Sequence, residues 1–386
     1  MSAPGRPQLA ALSAVRYPAA ALVVAGHFSR APAILHVDVG AVPQGAVSVV
    51  MSAGHAALSL FFVLSGYLLT YGHQGRPFEA KRWWRERLAR LYPAFALSLV
   101  LLAPQFFVLR LGYRGDEWVM QHQVVSALLV VLLLQAWVPP VAEAWNGVSW
   151  TLSAELLFSL LFPWLLGRLE RTGRAKAAGL TALCLLVTLA LPLAYLVWQP
   201  DGAVPTDVGR HGEHAWLTAL RMNPLSRLPE FLAGMGLAVW LPPQGEWRRG
   251  RWPDVLVALG LGVMAVGAAV FPVLPVPLWH AGCATVAAAL LVAGLGGGGR
   301  AARALEAGWL VRLSGASYGM YLFHVPLVAL GVLAFGRFGA PFPGSAAVVF
   351  LGVLALATAA GLGVKRVVEP WGLRLVLGRA GLQPPR

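Results

Sequence analysis

Charge is what this chain has least of. Asp, Glu, Lys and Arg make up 12% of its 386 residues, against roughly 25% in ordinary soluble domains. No polar stretch is long enough for a second, soluble domain. With 58% apolar residues and a mean hydropathy of +0.67, a soluble enzyme is excluded, and an all-α polytopic membrane protein is expected, one domain over 1–386 placed in the cell membrane. Cysteine is scarce too. Cys184 and Cys283 both fall inside apolar runs, where they read as small core residues and imply neither a disulfide framework nor a metal site. The chain contains no GxxxxGK[ST] loop and no internal repeat, so nucleotide-driven pumping has no support. The net charge of +14 would point to nucleic acid in a soluble protein. Here the basic residues cluster between apolar runs, where they act as topology signals, and no nucleic-acid partner is expected. No small-residue cleavage site follows the first run, which is therefore expected to stay as a span.

What is present is a series of apolar runs interrupted by a few ionisable groups. The first, Leu9–Arg30, carries Arg16 and His27 eleven residues apart. Eleven steps of about 100° come to about 1100°, some 20° past three turns, so on a helix both side chains share one face, ~16 Å apart along the axis. An ionisable group inside such a run costs several kcal/mol unless it is partnered or hydrated, and so marks a functional site. The structural alternative is that Arg16 snorkels to the inner surface and His27 to the outer one.

Ten spans are expected near Leu9–Ser29, His55–Gly72, Leu91–Leu109, Val148–Gly167, Ala177–Trp198, Leu228–Leu241, Val255–Phe271, Val276–Leu295, Leu313–Phe335 and Ala346–Val364. An eleventh run, Val124–Trp137, is shorter and is followed by Pro139 and Pro140. With ten spans and both termini cytoplasmic, 23 of the 30 Lys and Arg residues lie on the inner side and seven on the outer. If Val124–Trp137 also crossed, the split would become 12 inside to 18 outside, against the positive-inside bias. The segment near 124–137 is therefore expected to be re-entrant or interfacial, and such backbone must be buried in protein or line a wet cavity. The long outer loop Gln199–Arg227 holds His211 and His214 with no third ligand nearby. It reads as a solvated loop at an entrance, with no metal.

Other stretches carry chemistry on either of two readings. In FFVLSGYLLT (Phe61–Thr70), Ser65 and Gly66 allow close approach of another backbone or of an elongated ligand. KRWWRERLARLYPAF (Lys81–Phe95) is basic and aromatic, fit for anionic lipid headgroups or for the phosphates and adenine of a nucleotide-like carrier. Glu155, in WNGVSWTLSAELLFSLLFP, needs a cation or an imidazole as partner, and His27 lies at a similar depth. Arg227 and Glu230, three residues apart in RLPEFLAGM, can pair on one helix face. His324, in SGASYGMYLFHVPLV beside Tyr318 and Tyr321, is either a hydrogen-bonded structural histidine or part of a site.

Taken in order, Arg16 with ten residues then His27, FFVLSG, the Arg87 and Arg90 pair before LYP, WTLSAE, RLPEFLAGM and SYGMYLFHVPL closely resemble acyltransferase family 3, the bacterial integral-membrane acyltransferases. The resemblance covers nearly the whole chain. It implies a ten-span core that moves an acyl group, often acetyl, from cytoplasmic acyl-coenzyme A to a hydroxyl on a glycan or glycosylated small molecule. By the same resemblance Arg16 and His27 are essential, His27 being the catalytic histidine, and Arg87 and Arg90 help hold the donor. Glu155, Arg227 and Glu230 then belong to the site or its support, Glu155 with the catalytic group, and Ser65 and His324 are placed with the substrate-binding residues. No tightly bound cofactor is expected, acyl-coenzyme A being a co-substrate. The partners are the carbohydrate-bearing acceptor and membrane lipids. Two departures stand out: SAVRYP replaces the acidic residue and glycine common around the first arginine, and no C-terminal hydrolase-like domain is present in the sequence.

The chemistry is consistent with that reading, because an imidazole of pKa near 6.5 is the usual base for deprotonating an attacking alcohol. His27 could equally be acylated first and pass the group on. The rival from another class is a transporter or flippase for an anionic or lipid-linked substrate, using Arg16, Glu155 and Glu230 for binding and proton coupling.

Overall fold

The computed structural model describes residues 9–29, 44–109, 117–202, 214–241, 250–337 and 346–378, and among them every regular element is helical. Eight helices are long and apolar enough to cross a membrane, nine if Gly308–Ser314 and Ser317–Gly331, bent by 60°, count as one. The run expected at Leu228–Leu241 lies in a helix of 17 residues, Pro224–Trp240, just under the 18 that the other spans reach. Arg227 and Glu230 near its start shorten its apolar stretch.

The helices that position the site are α1 (Ala10–Ala14), α2 (Arg16–Ser29), α3 (Gln44–His73), α4 (Ala80–Pro104), α5 (Gln123–Val131), α6 (Trp150–Leu169), α7 (Arg174–Trp198), α8 (Ala215–Met222), α9 (Pro224–Trp240), α10 (Trp252–Val270), α11 (Ala284–Gly297) and α12 (Ser317–Arg337). Burial separates the centre from the rim. The most apolar stretches of Val49–His73 and Val276–Gly297 are 72% and 78% buried, those of α7 and α10 28% and 22%. α3 is therefore the axis, with α2, α9 and α11 packed on it. Small residues make this possible. A Cβ on Gly66 would collide with the Phe231 carbonyl, and one on Gly234 with the Val63 carbonyl, so α3 and α9 cross at backbone contact. Of the two readings of Gly66, the structure takes the one in which a backbone comes close. On the other side of α3, a Cβ on Gly54 would lie 3.2 Å from the Leu22 carbonyl of α2.

Prolines inside helices free the carbonyl four residues back, and a buried carbonyl needs a donor. Pro163 frees Ser159, whose oxygen accepts from the indoles of Trp83 (3.1 Å) and Trp84 (3.0 Å). Pro326 frees Leu322, whose oxygen accepts from the Asn146 amide (3.2 Å).

The Val124–Trp137 segment is no span. α5 has nine residues, a rise of ~14 Å at 1.5 Å per residue, less than half of a ~30 Å hydrocarbon core. Beyond it the chain turns through two short 3₁₀ pieces, Gln135–Trp137 and Pro139–Val141, with Leu133 and Trp145 at φ of 57° and 63°. Irregular backbone of this kind is tolerated when protein satisfies it. Gln135 donates to the Ser149 carbonyl (3.1 Å), Asn146 to Ser98 Oγ (3.0 Å), and the Trp145 indole to the Leu99 carbonyl (2.9 Å). Gln135, Asn146 and Ser149 are fully buried.

This arrangement makes the topology testable. Pro200 and Gly173 are exposed at opposite ends of α7. In a Cys184→Ala, Cys283→Ala background, Pro200→Cys should react with a membrane-impermeant maleimide from outside intact cells and Gly173→Cys only after the cells are opened. Labelling of Gly173→Cys from outside would mean either that an odd number of crossings precedes it or that the charge-based orientation is inverted.

Candidate active site

His27 occupies the last turn of α2, and α12 packs against α2 so that His324 meets it. His27 Nδ1 lies 3.0 Å from the Val23 carbonyl and 3.1 Å from His324 Nε2. His324 Nδ1 lies 3.3 Å from the Met320 carbonyl. A carbonyl can only accept, so both rings carry their hydrogen on Nδ1. His324 Nε2 is then an acceptor, and both neighbours of His27 Nδ1 receive its hydrogen. The lone pair of His27 is on Nε2, the nitrogen that can act as base or nucleophile. His324 is 1% exposed and stands behind His27.

His27 also lines a cavity of about 50 Å³, room for a few waters. Its other polar walls are His55 of α3, Glu143 of the irregular segment, Trp150 of α6, Arg221 of α8 and His280, which sits in a π-turn, Trp279–Cys283, at the head of α11. Of the residues singled out from the sequence, only His27 is in this wall. Ser65, half-buried on α3, is not.

Arg16 opens α2, the continuous helix that also carries His27. Its side chain is exposed, and it makes no hydrogen bond or ion pair among the described residues. The charges acting on it most are those of Glu155, Arg87 and Glu369. Arg87 donates to the Glu155 carboxylate at 2.8 Å and to Ser159 Oγ at 3.3 Å, and lies 5.4 Å from the centre of the Trp83 ring. Glu155 therefore takes the cation, not the imidazole, of the two partners expected for it. It belongs with Arg16 and Arg87, while His27 has His324. Arg90 is exposed and makes no hydrogen bond or ion pair among the described residues. Trp83 is buried and Trp84 is 40% exposed. Both indole N–H groups are committed to Ser159.

A third group lies beside the cavity and does not line it. Arg227 and Glu230, each 1% exposed in its side chain, pair at 2.7 Å. The same guanidinium donates to the Arg221 carbonyl (2.6 Å), the His280 carbonyl (3.0 Å) and His280 Nδ1. Ser59 (3.3 Å) and Thr285 (3.2 Å) donate to Glu230 Oε1. His55 and His280, whose rings meet edge to face at 4.5 Å, escaped the sequence reading. The usable signal was the same as for His27: a titratable group alone in an apolar run. His211 lies outside the described residues, His214 immediately precedes α8 without a side-chain capping bond, and no group of three potential metal ligands occurs among the described residues.

Breaking a buried ion pair strands a charge, at ~3–5 kcal/mol, whereas replacing both partners is often close to neutral. Arg227→Leu should therefore lower the thermal midpoint of the purified protein sharply, and Arg227→Leu with Glu230→Leu should recover most of the loss. A double variant no more stable than the single one would mean that the pair is held for its hydrogen bonds to Arg221 and His280 and not for charge balance.

Comparison with known proteins agrees with this architecture. A family model described as an acyltransferase domain matches residues 9–363. Acyltransferase MdmB of Streptomyces mycarofaciens is 29% identical over 385 residues, covering 96% of this chain and 93% of that protein. No solved structure gives a significant match. The motif order, the helical membrane architecture and the family match over nearly the full length lead to one identity: the chain belongs to acyltransferase family 3 and is an integral-membrane acyltransferase.

Proposed function

We propose that this protein transfers an acyl group, with acetyl as the first choice, from cytoplasmic acyl-coenzyme A to a hydroxyl of a glycan or glycosylated small molecule at the cell membrane. The observation that carries the reading is the tautomer of His27: Nδ1–H is held by the Val23 carbonyl and His324, which leaves a basic Nε2 on a ring that lines a polar cavity. In this reading the donor enters at the Arg16 end. Arg16, unpaired and exposed, and Arg90 receive its phosphates, and Arg87, already paired with Glu155, orients the wall between them. The pantetheine arm runs along α2, and the thioester reaches His27. There Nε2 takes the proton of the acceptor hydroxyl, or attacks the carbonyl and passes the acyl group on. The cavity walls from Glu143 to Trp150 and from α8 form the acceptor side. Glu155 and Glu230, the carboxylates a proton-coupled transporter would use, are both committed to arginines.

The direct test supplies labelled acetyl-coenzyme A to the purified protein and follows coenzyme A release with and without acceptor. His27→Ala should insert and purify normally and lose at least about 10²-fold in turnover. Retention of more than a tenth of the activity would remove His27 from the role of base or nucleophile. Trapping the label on wild-type protein in the absence of acceptor separates the acyl-histidine route from direct attack.

Donor binding has its own signature. Arg90→Ala, alone or with Arg87→Ala, should raise the Michaelis constant for acetyl-coenzyme A more than it lowers turnover. An unchanged donor constant together with altered membrane orientation would give these residues to the lipid headgroups.

A further inference from the structure

His280 has a chemistry fixed by residues that stand outside the cavity. A guanidinium has only donors and stays protonated, so the bond from Arg227 Nη2 to His280 Nδ1 requires that Nδ1 be bare and that the ring hydrogen be on Nε2. The arrangement is over-determined. Arg227 Nη1 reaches the carbonyl of the same residue at 3.0 Å, its Nε is taken by the Arg221 carbonyl at 2.6 Å, and Glu230 balances its charge at 2.7 Å. Arg227, Glu230 and His280 are all at most 2% exposed. The π-turn Trp279–Cys283 is anchored by the Trp279 indole, which donates to the Ser52 carbonyl at 2.8 Å, so the backbone that carries His280 is pinned to α3.

His280 and His27 line the same cavity in opposite tautomers. His27 offers a lone pair, set by the Val23 carbonyl and His324. His280 offers an N–H, set by Arg227. Acyl transfer asks for this combination: a base for the attacking hydroxyl and a preorganised donor for the carbonyl oxygen as it becomes an oxyanion, and such a donor is commonly worth about 10²–10³-fold in turnover.

We propose that His280 is a catalytic residue whose Nε2–H donates to the acyl carbonyl oxygen in the transition state, with Arg227 and Glu230 as its positioning residues; this rests on the acyl-coenzyme A reading above. The hydroxyl oxygen bonds to the carbonyl carbon while its proton moves to His27 Nε2. The carbonyl π pair moves onto oxygen, which His280 Nε2–H then holds. Collapse restores the C=O bond, breaks the C–S bond, and returns the proton from His27 to the leaving thiolate. His280 ends the cycle unchanged.

The experiment uses the full chain in detergent, with acetyl-coenzyme A as donor and both water and methyl β-D-glucopyranoside as acceptors. His280→Leu removes the donor at similar volume. His280→Asn keeps an amide N–H for the substrate and an oxygen for Arg227. We expect His280→Leu to lose about 10²-fold or more in kcat with Michaelis constants within about threefold, and His280→Asn to recover at least tenfold of that loss. His280→Leu retaining more than a third of wild-type kcat, or His280→Asn being no better than His280→Leu at equal thermal midpoint, overturns the proposal. If His280→Leu fails to fold, the wild type decides: the infrared carbonyl stretch of bound [1-¹³C]acetyl-coenzyme A should fall below its value in solution, and an unshifted band overturns the proposal. A wild-type protein that neither binds acetyl-coenzyme A nor releases coenzyme A with either acceptor would sink the donor reading itself, and the His280 role with it.

Discussion

The backbone contact between α3 and α9 is the constraint on which the rest of the structure depends. Gly66 and Gly234 let the two helices touch with no side chain between them. That brings Ser59 of α3 against Glu230 of α9, and with Glu230 comes Arg227. Since α3 also holds α2 through Gly54 and the π-turn through Ser52, His27 and His280 are referred to one axis. A methyl group at either glycine would push α9 away and disturb the Arg227–Glu230 pair, buried one to two turns from Gly234 on that helix.

The second organising principle is that no polar group deep in the protein can rely on lipid for a partner. Pro163 and Pro326 each release a carbonyl, and each carbonyl is taken up by a residue from another element: Trp83 and Trp84 in one case, Asn146 in the other. The helix-breaking residues thereby become tertiary fasteners. Through Asn146, α12 holds the irregular segment that ends in Trp150. Through the tryptophans, α4 is fixed to α6 next to the Arg87–Glu155 pair.

Much of this was legible in the residues. Apolar runs and their charged borders located the spans, the eleven-residue interval put Arg16 and His27 on one helix, and the loop charges kept Val124–Trp137 from being taken as a crossing. The Arg227–Glu230 pair followed from a three-residue spacing alone. Pairings between distant helices did not follow. Depth along a span suggested His27 as one partner for Glu155, but depth says nothing of rotation, and α4 turns Arg87 toward that carboxylate while α12 turns His324 toward the imidazole. His280 could have been singled out as a titratable group in an apolar run, but its role could not. Its significance comes from a guanidinium 53 positions earlier in the chain, and no local pattern relates the two. Among the described residues, eight or nine of the expected runs form helices of full span length, and α9 is one residue shorter where it carries buried charge.

The hydrogen bond from His27 to its own helix, four residues back at Val23, has an evolutionary consequence. Nδ1 of the imidazole is anchored by α2 itself and by His324 of α12, and these two anchors lie outside the cavity walls formed by Glu143, Trp150 and α8. Those walls could be remodelled, lengthened or exchanged while both anchors stay in place. A chain built this way can explore new acceptors by drift in a few peripheral segments while the reactive nitrogen stays where it is, so relatives of low overall identity need share little beyond one helix and its close neighbours to share a reaction.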